Sequence, residues 1–209
     1  MKKIITLFFL FPVLGGISAL NAIETLPIYA GVGYGIARYV GEEVKDPIYL
    51  PGQKAEGDKS FCEIYAGFDL GDILSIELAY AQFAELEEDY DLRPDINIVE
   101  GATVYDQERV DFSRMSLMLV AEYPLTLGFS VYGTAGYAYY DFDRSFYGTW
   151  EPSLDSLKDK VSNGDHGLEY GFGAKWEILE RLSIRGQWSQ SLIGDRKVQS
   201  NRLSVEFHF

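Results

Sequence analysis

The sequence predicts an all-β fold: an eight-stranded antiparallel transmembrane β-barrel with short periplasmic turns and four long extracellular loops. Three observations lead there. After residue 26, apolar and polar residues alternate with period two in eight separate segments, the pattern of half-buried strands. The connections between those segments alternate strictly between short and long. The apolar face carries bulky aromatics at strand ends, while the other face is rich in Gly, Ala and Ser with scattered charges.

Composition narrows the class. The 209 residues suit one domain, with 18 Lys+Arg against 32 Asp+Glu and a formal net charge of −14. That acidic balance, without a basic tract, excludes nucleic acid as a partner. The single Cys62 excludes an internal disulfide framework and a cysteine-rich zinc site. High Gly and Tyr with only two His are unusual for a soluble enzyme.

Residues 1–22 read as an export signal. Lys2 and Lys3 precede an apolar run from Ile4 to Leu14, and small residues follow at Gly15, Gly16, Ser18 and Ala19. Cleavage is expected between Ala22 and Ile23, although Leu20 at the −3 position is larger than usual. Removing two lysines and no acid takes the net charge from −14 to −16 for the mature domain, 23–209. No later segment reaches the ~20 apolar residues of a membrane helix. A mature chain in a membrane must therefore cross it as a barrel.

The eight expected strands span 27–39, 61–70, 73–83, 110–123, 127–140, 167–178, 181–190 and 201–209. The short connections are Gly71-Asp72, Pro124-Leu125-Thr126 and Leu179-Glu180. The long ones are 41–59, 84–108, 141–165 and 191–200. Sorting short turns to one end and long loops to the other is the layout of an outer-membrane barrel. In the third strand Leu74, Ile76, Leu78 and Tyr80 share one face, with Ser75, Glu77, Ala79 and Ala81 on the other. The sixth, seventh and eighth strands alternate in the same way.

A narrow interior accepts small side chains, so the apolar face is expected outside. Large rings then form two belts at the headgroup levels. Tyr123, Phe129, Trp176 and Phe209 make the belt near the short turns. Tyr80, Tyr137, Tyr139, Tyr170 and Trp188 make the one near the long loops. The fourth strand strains the pattern: with rings outside, Phe112 and Met115 share a face only through a bulge near Ser113. Cys62 falls on the outward face.

These residues carry a resemblance. The chain resembles the small OmpA-like and OmpX-like outer-membrane barrels, including the opacity-type group. It does so in IYAGVGYG of the first strand, YAGFDL before a tight turn, LSIELAYAQF, and a last strand alternating Leu203, Val205 and Phe207 up to Phe209. The resemblance covers the whole mature chain and implies the cell outer membrane as its location. It also implies that Phe209 serves as the signal read by the barrel-assembly machinery. OmpA itself carries a peptidoglycan-binding domain after the barrel. This chain stops at its last strand, so wall anchoring of that kind is not expected.

Turning the polar face inward collects Glu63, Glu77, Arg114, Glu122, Glu169, Lys175, Glu177, Arg185, Glu206 and His208. Buried charges are costly unless paired or hydrated. The expected result is a plug of salt bridges and trapped water, with a narrow cation-favouring pore as the alternative.

An enzyme is not expected, and no catalytic, metal or cofactor-binding residue is assigned. A lipid A hydrolase needs a nucleophile, base and acid converging at the membrane surface. His208 lies inward at the wrong end, and His166 beside Asp165 lacks a serine two residues away on one strand face. The segment 84–108 holds nine acids against Arg93 alone. Its Asp89, Asp91 and Asp95 could attract divalent cations, but they lack an EF-hand's Gly and terminal Glu. A hairpin built from 96–99 and 103–105 would offer an edge for pairing with an extracellular protein. The expected role is structural or surface-interacting, through acidic loops outside the outer-membrane lipid. A small channel is the next reading, and a lipid-modifying enzyme the third. A soluble lipocalin-like barrel, with its apolar face inside, is the alternative fold.

Overall fold

The strands run well past the expected ends. In the computed structural model, residues 27–43, 54–89, 104–149, 156–194 and 196–209 are described. They form β1 (Ile28–Glu43), β2 (Lys54–Asp69), β3 (Leu74–Phe83), β4 (Leu86–Asp89), β5 (Val104–Thr126), β6 (Phe129–Thr149), β7 (Ser156–Leu179), β8 (Leu182–Ile193) and β9 (Arg196–His208).

Neighbours pair antiparallel in the order β3-β2-β1-β9-β8-β7-β6-β5, and β5 returns to β3. The sheet is thus closed, which removes its edges. β4 pairs with β5 above β3, from Leu86↔Val110 to Asp89↔Gln107. β3 and β4 are therefore two pieces of one stave, interrupted at Ala84-Glu85, and the barrel has eight staves. At the break the Ala84 N–H donates to the Ser60 carbonyl at 2.8 Å.

The expected loops 41–59 and 84–108 shorten, since β1 runs to Glu43, β2 starts at Lys54, and β4 and the start of β5 fall within 84–108; three other boundaries also move. Pro124–Thr126 belong to β5, and the turn into β6 is Leu127-Gly128, with φ of 52° and 74°. Positive φ at both central positions matches the right-handed twist of the strands it joins. Next, the connection expected at 191–200 is nearly all strand. Ile193 pairs with Arg196, and Gly194, at φ 56°, opens the short link. Finally, β6 and β7 pair continuously up to Thr149↔Ser156, which places His166 inside a strand rather than in a loop. Strand signals fail at the last two places because the strands rise beyond the membrane, where both faces can be polar.

The faces decide between the two fold alternatives. Val32 is 56% exposed, Phe172 63% and Leu203 64%, whereas Glu63, Glu77, Arg185 and Glu206 are each 2% exposed. A lipocalin-like barrel needs the reverse. No bulge occurs near Ser113: the β5–β6 register runs unbroken from Gln107↔Tyr147 to Pro124↔Ser130. Phe112 lies inside and Met115 outside, so the tension in the fourth strand came from assuming that rings belong outside.

Candidate functional site

The lumen is filled in two tiers. The lower tier, towards the short turns, is ionic. Arg185 on β8 donates from Nη1 to Glu77 Oε2 of β3 at 2.7 Å and to Glu206 Oε2 of β9 at 2.6 Å. Its guanidinium also sits over the rings of Tyr132 (4.5 Å) and Tyr65 (5.1 Å). Lys175 Nζ lies 2.6 Å from Glu122 and 3.8 Å from Glu206. His208 Nε2 is 2.9 Å from Glu206 Oε1. Further up the lumen, Glu63 takes both Arg114 and Arg202, and Arg114 Nη1 donates to Glu169 at 2.8 Å. Arg202, 3.9 Å from Glu77, joins the two clusters.

Every participating strand delivers its charge on the inward parity. Their meeting depends on register, since the ion-paired residues stand on β2, β3, β5, β7, β8 and β9. Tyr29 and Tyr65 fit because Gly67 and Gly31 stand opposite them; a Cβ on either glycine would land in the facing ring. The Tyr29 hydroxyl shares a hydrogen bond with Ser75 at 3.1 Å and donates to Glu77 at 3.3 Å. A residual cavity of about 10 Å³ among Glu63, Arg114, Glu169 and Arg202 has room for one water.

Nine of the ten expected lumen charges lie in or at the edge of this network. Glu177 does not: it keeps inward parity but is exposed where β7 nears its turn. Arg202 was missed, although it shares the face of Ser204, Glu206 and His208 and was legible from that alternation. With Arg202 included, five carboxylates (Glu63, Glu77, Glu122, Glu169, Glu206) face four permanent cations (Arg114, Lys175, Arg185, Arg202), and His208 stands against Glu206. The tier is close to neutral, as low-dielectric burial requires.

The upper tier is aromatic, and the sequence reading did not foresee it. Tyr39, Phe61, Phe83, Phe112, Tyr140 and Phe142 are all inward and at most 3% exposed. Phe83 stacks on Phe112 at 4.2 Å and on Phe61 at 5.0 Å. Phe142 lies 5.7 Å from Phe112 and 5.8 Å from Tyr140. Val110, Ile193 and Val198, with Ala37, Ala81 and Ala138, complete the cluster. Arg196 caps it, its guanidinium 5.1 Å from the Phe142 ring centre. A parity signal existed, because Phe112 shares a face with Arg114 and Ser116.

The remaining expected residues fall as follows. Tyr123, Phe129 and Trp176 are exposed on the outer surface near the short turns, and Phe209 closes that end with its N–H donated to the Ile28 carbonyl at 3.1 Å. Tyr80, Tyr137, Tyr139 and Tyr170 are exposed on the outer surface towards the other end. Trp188 is half-buried against Phe172 at 5.3 Å and Tyr170 at 6.2 Å. Cys62 is exposed on the outer face. His166 is exposed, 5.5 Å from the Tyr137 ring, and its backbone N–H donates to the adjacent Asp165 side chain at 2.8 Å. Glu85 and Glu87, from the acidic segment, pair with Arg109 at 3.4 and 2.9 Å. The cleavage pair Ala22 and Ile23, Asp91 and Asp95, and the 96–99 hairpin arm lie outside the described residues.

At the short-turn end the lumen opens into a cup of about 660 Å³, lined by Asp69, Asp72, Glu180, Arg181, His208 and Phe209 among others. Among the described residues, no group of three or more His, Cys, Asp or Glu side chains is arranged to hold a metal ion.

Residues 7–209 match the family described as outer membrane protein beta-barrel domain. The chain belongs to that family, and its place is the cell outer membrane. Solved barrels share the fold at low identity. Neisserial surface protein A matches at 11% identity with a TM-score of 0.56, covering 90% of this chain and 100% of that one. Ail, the attachment invasion locus protein of Yersinia pestis, in complex with the heparin analogue sucrose octasulfate, matches at 16% and 0.54, covering 88% and 100%. OprG of Pseudomonas aeruginosa matches at 14% and 0.53, covering 89% and 98%. No curated protein matches by sequence.

Proposed function

We propose that this outer-membrane barrel keeps a closed lumen and does its work at the cell surface, in an adhesin-like or structural role. The filled lumen carries the reading, with ionic and aromatic tiers leaving a residual cavity of about 10 Å³ between the charged groups. The staves support it from outside. A strand crosses the bilayer in roughly 9–11 residues, but β5, β6 and β7 run for 23, 21 and 24. They stand as a sheet beyond the rim, with the four residues of β4 alongside β5. Pairing of β7 with β8 stops at Leu168↔Leu192, so residues 156–167 form the tall side of that sheet.

The partner proposed is a basic protein surface or divalent cations. Nine acids against one arginine in 84–108 would repel a polyanion such as the one held by Ail. Phe209 is proposed as the contact for the assembly machinery, and no catalytic role is assigned. The second reading, a small cation-favouring channel, draws on the acidic cup of Asp69, Asp72 and Glu180.

Conductance of the refolded protein in a planar bilayer separates the two, with unboiled against boiled gel mobility reporting folding. A folded, electrically silent barrel is expected. Steady, discrete, cation-selective steps would overturn the closed-lumen reading and put transport in its place.

A further inference from the structure

The two tiers are not equivalent barriers. We propose that the aromatic tier alone seals the lumen, and that the ionic tier beneath it, closely packed but built of exchangeable ion pairs, gives way to ions arriving from the short-turn side. The inference rests on the closed-lumen reading and assigns the closure to particular residues.

The geometry separates the tiers along the barrel axis. Arg114 pairs across the β5–β6 ladder with Tyr140, and two residues further from the short turns Phe112 pairs with Phe142. The step from guanidinium to stacked rings therefore takes one inward position. Above that step the cluster draws on seven of the eight staves: β1 through Tyr39, β2 through Phe61, β3 through Phe83, β5 through Phe112, β6 through Phe142, β8 through Ile193 and β9 through Val198. On β7, the eighth stave, Gly167 is buried beside Ala138 of the cluster, where a Cβ would strike the Leu192–Ile193 backbone, and the next inward position, Asp165, pairs with Tyr140 and lies 4.0 Å from Arg196. The section is filled by ring faces and aliphatic groups, and the Tyr39 and Tyr140 hydroxyls among them are too few to replace the water around an ion. Hydrophobic constrictions of this kind block ions by excluding water.

The lower tier differs in each respect. It is made of long, hydrogen-bonding side chains with a water-sized cavity among them. It also faces the wide cup, into which His208 projects from the network through its contact with Glu206. A tier of long charged side chains can pass water and small ions by exchanging partners one side chain at a time. A dry stack of rings cannot.

Two variants test the assignment in planar bilayers, alongside the unaltered protein. The first empties the ionic tier with Glu77→Ser, Arg114→Ser, Glu169→Ser and Arg185→Ser, which leaves the formal charge unchanged. The second adds Phe112→Ser and Phe142→Ser. The expected result is silence from the first and discrete conductance steps from the second. Conductance from the first would show that the ion pairs were the seal. Silence from a folded second variant would show that the rings were not. If the fourfold variant does not give the folded gel band, Arg114→Gln/Glu169→Gln replaces it with the same expectation. Conductance from the unaltered protein is a different failure, because it removes the closed lumen itself.

Discussion

Replacing Arg185 with Gln should expose how dry the ionic tier is. The guanidinium is 2% exposed, and a single nitrogen serves two carboxylates, Glu77 at 2.7 Å and Glu206 at 2.6 Å. Each such contact is worth about 4 kcal/mol at an effective dielectric near 20, but desolvating three charges offsets most of that sum. Removing one partner of a buried pair costs about 3–5 kcal/mol, because the other charge stays behind. Here the loss falls at the lower end of that range. Glu206 keeps Lys175 and His208, and Glu77 keeps the Tyr29 hydroxyl and Arg202. The expected loss is about 3 kcal/mol. With a urea slope of about 2–3 kcal/mol/M, the unfolding midpoint should fall by roughly 1–1.5 M.

Equilibrium urea unfolding of the refolded protein in micelles, followed by tryptophan fluorescence, measures this. The double variant Glu77→Gln/Arg185→Gln should recover part of the loss, with a coupling of about 1–3 kcal/mol. The outward pair Arg38–Glu56 is the control, and Arg38→Gln should leave the midpoint unchanged. An Arg185→Gln midpoint within about 0.3 M of the parent, under 1 kcal/mol on that slope, would refute the reasoning. It would mean that bulk-like water screens the pairs at that depth.

Three further outcomes are expected. Gly67→Ala places a methyl where the Tyr29 ring lies, so the ring must leave Ser75 and Glu77; the overpacking should cost about 1–3 kcal/mol in the same urea titration. Phe209→Ser removes the terminal ring, which touches Phe207 edge-on at 5.2 Å; assembled protein in outer-membrane fractions should drop several-fold while refolding in detergent proceeds as before, and equal fractions would end its role as an assembly signal. Cys62 faces outward beside the apolar belt; in lipid vesicles it should react with a membrane-permeant maleimide but hardly with a charged one, and equal labelling would place it above the lipid.

Much of this architecture was legible in the residues. Strict alternation in LSIELAYAQF separates a face of Leu74, Ile76, Leu78 and Tyr80 from one of Ser75, Glu77, Ala79 and Ala81, and burial follows that division for all but Leu74, half-covered at the strand's start. Alternation survives translation into structure because a strand has only two faces, and lipid on one side enforces the choice at every position. Charged residues of inward parity could likewise be collected from the sequence, and Arg202 could have been among them.

The aromatic tier and the strand ends were decided elsewhere. Period two says that Phe112 shares a face with Arg114 and Phe142 with Tyr140, but not that these rings stack with Phe83 and Phe61 of the adjoining staves β3 and β2. That meeting depends on the register with which β5 closes onto β3, from Leu74↔Ala121 to Gln82↔Ser113. The same closure determines which carboxylate faces which guanidinium. Lipid acts on each outward residue separately, so its mark is local and readable along the chain. The lumen is filled by side chains from strands far apart in sequence, and only the closed barrel brings their shapes and charges together.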